Sequence, residues 1–166
     1  MSQSLRQVSG LLIPALLLVL PLVAHAGFDE AVQAYGTGDY AVALAEFKVL
    51  ADQGKPEAQY FMGLFYHNGF GVPRDQIESA KWFLKAARQG DARSQYYVGI
   101  MADKGQGVEK DPVAAHMWLS LSAANPQTSH RDSLYTREAI EKLEKKMTPE
   151  QIAKAKDTAK NWNPQN

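Results

Sequence analysis

From Tyr40 onward the apolar residues recur at the spacing of a helical face. Tyr40, Ala43, Phe47, Leu50 and Ala51 fall at i, i+3, i+7, i+10 and i+11, one stripe on a helix of 3.6 residues per turn. The period returns in Ala58, Met62, Phe65 and Tyr66, in Ile77, Ala80, Leu84 and Ala87, and in Val113, Trp118, Leu119 and Ala123. Start and stop signals separate the stripes. Asp39 is placed to cap one helix and Gly54 to end it, Pro56 occupies a first helical position, Asp75 to Glu78 reads as a capping box, and Asp111-Pro112 restates the start signal. A short helix from Phe28 to near Tyr35 precedes the turn at 36–39, and Gly63 permits a close backbone approach inside its helix.

These stripes repeat at a spacing of 36 residues. Ala58-Gln59-Tyr60 returns as Ser94-Gln95-Tyr96, Gly63 as Gly99, Gly69, Gly71, Val72 and Asp75 as Gly105, Gly107, Val108 and Asp111, and Trp82-Phe83 as Trp118-Leu119. A period of this size marks stacked supersecondary units that bury their apolar faces against one another. The glycine pair of each loop, with Val72 or Val108 as an apolar peg, is a helix–helix turn; no strand precedes it and no lysine follows at phosphate-loop spacing. After Ala124 the period stops. Residues 125–128 read as a linker, followed by a helix with Leu134, Ile140, Leu143 and Met147 inward and the pairs Glu138/Lys142 and Glu141/Lys145 outward. Thr148-Pro149-Glu150-Gln151 starts a last helix whose inward stripe is Ile152, Ala155, Ala159 and Trp162, so that this charged pair caps the stack.

The N-terminus carries export chemistry instead. Arg6, the apolar run 11–23 and Ala24-His25-Ala26 form a signal peptide with cleavage expected after Ala26, and the run is too short and proline-broken for a membrane anchor. The expected location is therefore periplasmic or secreted, with no stable membrane insertion after cleavage. The chain has no cysteine, which excludes disulfides and thiolate metal sites. Without Arg6 the remaining 17 basic residues face 18 acidic ones, a balance that disfavours nucleic acid as a partner. His116, on an apolar face where the first copy has Ala80, is read as a hydrogen-bonded core or capping residue rather than a ligand, since its helix carries no second histidine or carboxylate at ligand spacing.

The residues Ala58-Gln59-Tyr60, Gly63, Tyr66, Gly69-Phe70-Gly71-Val72, Asp75, Ala80, Trp82, Ala86-Ala87 and Gly90 resemble the Sel-one-like repeat (SLR), a branch of the tetratricopeptide-like helical repeats. The opening pair, with Tyr35, Gly38-Asp39-Tyr40 and Ala43-Leu44, resembles an ordinary tetratricopeptide turn, and the stretch 147–152 resembles the end of many small exported bacterial members. The resemblance implies an all-α fold, an α/α superhelix of helical hairpins divided as 1–26 signal peptide, 27–55 tetratricopeptide-like hairpin, 56–91 and 92–127 SLR repeats, and 128–166 capping helices. It also implies a concave side, built from the first helix of each unit, that binds proteins without catalysis.

Carried onto this chain, the repeat-defining positions are structural, and the candidate groove lies between them: Phe61, Leu64 and His67, answered by Tyr97, Ile100 and Asp103. Exposed, these form a contact patch; the alternative is that they pack against a neighbouring helix or the cap. The leading expectation is an interaction scaffold of the bacterial cell envelope that holds a peptide or helix of an envelope protein or membrane-protein ectodomain. No catalytic residue, cofactor or metal is expected, for the chain has no nucleophile elbow, S-x-x-K or H-E-x-x-H. A wall-glycan-binding or wall-acting protein is the alternative, and filling of the groove by a second copy is a third reading.

Overall fold

A computed structural model describes residues 27–164 and shows, among those residues, helices and no strand. The elements are α1 Phe28–Thr37, α2 Tyr40–Asp52, α3 Pro56–Asn68, α4 Gln76–Arg88, α5 Ala92–Lys104, α6 Pro112–Ala124, α7 His130–Glu144 and α8 Pro149–Lys160. The expected signal peptide and its cleavage site lie outside the described residues.

The lattice aspartates start the second helix of each hairpin. Asp39 accepts from the Val42 amide at 3.3 Å, Asp75 from Ile77 and Glu78 at 2.9 and 3.0 Å, and Asp111 from Val113 and Ala114 at the same two distances. Each cap satisfies orphan amides of a first turn. The second half of the box expected at Asp75 does not form: Glu78 points along its own helix to Lys81, 2.9 Å away, and that ion pair replaces the reach-back. Thr148 and Gln151 do close both halves. α1 continues past Tyr35 to Thr37, where Gly38 turns the chain at φ 83°.

The helices pack as hairpins, α1 on α2, α3 on α4 and α5 on α6, with α2 against α3 and α4 against α5 joining one hairpin to the next. Three core clusters follow this order. The first joins Ala31, Phe47, Met62, Phe65 and Trp82, the second Leu64, Phe83, Val98 and Trp118, and the third Ala102, Ala115, Leu119 and Leu143. The first two clusters each join two hairpins and the third joins the α5–α6 hairpin to α7, so none of these units buries its apolar face alone. Trp82 and Phe83, adjacent in sequence, face opposite neighbours and belong to different clusters.

The repeat signature has a physical reading. A Cβ on Gly63 would lie 2.5 Å from the Phe83 ring, and one on Gly99 2.6 Å from Leu119 Cγ, so each glycine admits the large side chain of its own hairpin partner. Gln59 donates to the Ala51 carbonyl at 3.3 Å and Gln95 to the Ala87 carbonyl at 3.2 Å. Each glutamine thereby satisfies a carbonyl in the last turn of the preceding helix.

Two residues of the expected stripes lie outside the core. Ile77 is 61% exposed and Leu134 52%. Ile77 sits in the first turn of α4, where Asp75 fixes the start and the inward side is made by Ser79, Ala80 and Phe83 instead. On α7 the inward positions are Thr136 and Leu143, two turns apart, with Thr136 returning its hydroxyl to the Asp132 carbonyl at 2.8 Å. Periodicity alone does not register a buried threonine as core.

The C-terminal helices both pack on α6. His116, fully buried, places Nε2 2.8 Å from Glu144 on α7 and receives Ser120 at Nδ1, 3.2 Å away; Glu144 also meets Lys156 of α8 at 3.2 Å. One carboxylate therefore ties α6, α7 and α8 together. The hydrogen bond from His116, assisted by Lys156, holds the Glu144 carboxyl below the usual glutamate value. Because the folded value is the lower one, this stabilisation is complete above the unfolded pKa of about 4.3 and is lost as pH falls through the folded value. Denaturant unfolding of the protein and of Glu144→Gln should therefore differ at pH 6, and the gap should close toward pH 3; a gap independent of pH would contradict the assignment.

Candidate functional site

α3, α5 and α7 form a row of first helices, with Asp103 of α5 4.0 Å from Lys146 just beyond α7. A cleft of about 540 Å³ opens on this row, lined by the N-terminal halves of the three helices and by the segment between α6 and α7. α3 contributes Glu57 and Tyr60, α5 contributes Arg93, Tyr96 and Tyr97, and α7 contributes Asp132 and Tyr135. Gln127 and Thr128 form one wall. α8 contributes nothing to the lining: it lies on α6, where Trp162 meets Trp118 edge to face at 6.1 Å.

The segment 125–129 is folded onto the array rather than free. Asn125 donates to the Gly90 carbonyl at 3.0 Å, Thr128 to the Ser122 carbonyl at 2.8 Å, and Ser129 caps α7. The polar floor is equally fixed. Asp91 accepts the Ser94 amide at 2.7 Å through one oxygen and holds Arg93 Nη2 at 2.7 Å with the other, which lays the guanidinium over Tyr60 at 4.2 Å from the ring centre. Such a cation over a ring adds about 0.5–1 kcal/mol at an exposed site.

The tyrosines continue the core outward. Tyr97 stacks on buried Phe83 at 4.6 Å and meets Tyr60 at 6.1 Å. Burial raises the pKa of both phenols, most strongly that of Tyr60, so they are neutral hydroxyl groups at physiological pH. Tyr135 stands across the cleft, 57% exposed.

Of the six groove residues expected from sequence, Tyr97 alone lines this cleft. Leu64 is core at 8% exposure, and half-buried Phe61 stacks on Phe47 at 4.2 Å. His67 packs edge-on to Tyr97 at 5.6 Å, its Nδ1 buried without a hydrogen-bond partner, and burial lowers its pKa. Ile100 packs against the third cluster, and Asp103 faces Lys146. The cleft instead uses Tyr60 and Tyr96, which the repeat lattice marks as structural, together with Arg93 and the α7 residues. The lattice itself carried the signal: a large phenol in both copies, one residue after the buried glutamine, lies on the edge of the core.

Among the described residues no group of three or more histidine, aspartate or glutamate side chains is arranged to hold a metal, and no helix is long and apolar enough to cross a membrane.

Helical hairpins stacked in register, with a cleft on the row of first helices, define an α-helical repeat protein. The chain carries two Sel1 repeats: the family model of the Sel1 repeat matches residues 56–91 and 92–126. Among solved structures it is similar to a protective antigen present in uropathogenic Escherichia coli strains that displays an SLR fold, with 27% identity and a TM-score of 0.73 over 81% of this chain and 28% of that one. It is also similar to a Sel1 repeat protein from Oxalobacter formigenes, at 26% identity and a TM-score of 0.61 over 70% of this chain and 46% of the other. The chain thus spans less than half the length of either. No curated protein matches its sequence. Sel1-repeat arrays are in general protein-interaction scaffolds without catalysis.

Proposed function

We propose that this protein is a non-enzymatic interaction module of the bacterial cell envelope, exported by its N-terminal signal and holding a segment of a partner protein in the cleft between α3, α5 and α7. The observation that carries the reading is the cleft itself. It lies on the first-helix row, its floor is fixed by caps and by the Asp91–Arg93–Tyr60 contact, and Tyr135 presents an exposed ring at its edge. Aromatic and arginine side chains around a preformed concavity are the residue types that concentrate binding energy in protein interfaces. The partner is an envelope protein or the ectodomain of a membrane protein, because the signal delivers the chain to that side of the membrane.

The test is affinity capture from envelope extract with the native protein and with a Tyr60→Ala/Tyr135→Ala variant of equal helix content. A partner retained by the native form should fall at least about tenfold in the variant, since two interface aromatics at about 1 kcal/mol or more each are removed. Equal retention by both forms would place binding elsewhere. Export is checked separately: the protein recovered from the periplasm or medium should begin at Gly27, and recovery of an unprocessed N-terminus would contradict it.

A further inference from the structure

We infer that the cleft receives a basic side chain, lysine or arginine, presented by an extended segment of the partner protein. The inference rests on reading the cleft as a protein-binding site, and goes further by assigning the chemistry of what enters. Three carboxylates line the cleft, Glu57, Asp91 and Asp132, against one guanidinium, that of Arg93. Arg93 is already committed, held by Asp91 and lying on Tyr60. Glu57 and Asp132 have no ion-pair partner among the described residues; Asp132 accepts only the Ser129 hydroxyl, at 2.6 Å. Both stand in first turns, where a helix dipole offsets about half a charge each, and the cleft stays net negative.

The rings complete the recognition chemistry. Arg93 over Tyr60 is an internal example of a cation held on a phenol face at this site. Tyr135, across the cleft, has no aromatic or cationic partner among the described residues and is 57% exposed. An incoming ammonium or guanidinium therefore meets an unused ring and two unpaired carboxylates. A ligand carboxylate would meet the same two negative charges and would have to draw Arg93 away from Asp91. A neutral segment or a sugar would stack on the tyrosines and leave both charges unpaired.

The test titrates the chain from Gly27 onward, which holds every described helix, after labelling the tyrosine rings with carbon-13. The probes are three terminally blocked octapeptides that differ only at two central positions, carrying Lys, Gln or Glu, and a chitin tetrasaccharide. The lysine peptide should shift the Tyr60, Tyr97 and Tyr135 signals saturably and bind more tightly than the glutamine peptide, while the glutamate peptide should bind most weakly. Glu57→Gln and Asp132→Asn should each weaken the lysine peptide by about two- to fivefold and leave the glutamine peptide unchanged, as expected for single partly exposed ion pairs. Equal shifts by all three peptides, or tightest binding of the glutamate peptide, would overturn the basic preference while leaving the cleft a peptide site. Shifts caused by the tetrasaccharide and by no peptide would overturn both readings, as would tyrosine signals that no probe moves.

Discussion

Replacing Phe83 with alanine should cost about 3–5 kcal/mol of unfolding free energy, the range for emptying a fully buried aromatic site. Phe83 has no exposed surface, fills the space opened by Gly63, and stacks on Tyr97 at 4.6 Å. Its loss therefore leaves a cavity against α3 and frees Tyr97 on α5 from the surface that orients it. Both repeats should weaken together, because Phe83 belongs to a cluster shared between them. Denaturant unfolding followed by helix signal reads the cost. A destabilisation under about 1 kcal/mol would show that the hairpins do not depend on this shared packing.

The second large effect is expected at Gly107, where alanine meets two penalties. The residue has φ 70°, a left-handed conformation that costs a non-glycine residue about 1–2 kcal/mol. An added Cβ would also lie 1.9 Å from the Gln76 carbonyl oxygen, a backbone atom at the start of α4 that cannot turn aside. Displacing that backbone costs about 1–3 kcal/mol more. Gly54, at φ 87° with nothing within 4 Å of an added Cβ, faces the first penalty alone. Gly107→Ala should accordingly lose clearly more stability than Gly54→Ala, as measured by their denaturation midpoints; equal losses would contradict the close contact between the second repeat's loop and the preceding hairpin.

The fold was legible because each local signal agreed with the array. The aspartate caps, prolines at first positions, glycines at turns and the 36-residue lattice all pointed to stacked hairpins. His116 was legible as core for the same reason, standing at a lattice position occupied by alanine in the other copy. What sequence could not supply was the side chain's choice among competing local partners. Glu78 pairs with Lys81 rather than closing its box, Ile77 lies in a turn left uncovered, and Thr136 takes an inward place by satisfying its hydroxyl within the helix.

The site was less legible than the fold. Sequence placed the groove on the first helices, but one to two turns nearer their C-terminal ends than the cleft, with Tyr97 the one residue in both, because Tyr60 and Tyr96 recur with the lattice and so read as packing. They do both: one edge of each ring is tied to its neighbours, as Tyr60 to Tyr97, while the other borders the cavity. The linker 125–128 carried no apolar period at all, yet hydrogen bonds to Gly90 and Ser122 fold it into a wall. Tyr135 and Asp132 enter only because α7 aligns with the first-helix row, a tertiary fact that the break in periodicity after Ala124 conceals.

The measurement that bears most directly on the cleft is photocrosslinking in living cells, with a benzophenone amino acid placed at position 135 in the cleft or at position 154 on α8. The account predicts a discrete adduct with an envelope protein from position 135, lost when Tyr60 and Arg93 are changed to alanine, and none from position 154. The same adduct from both positions, or one from position 154 alone, would contradict the assignment of this cleft as the partner site.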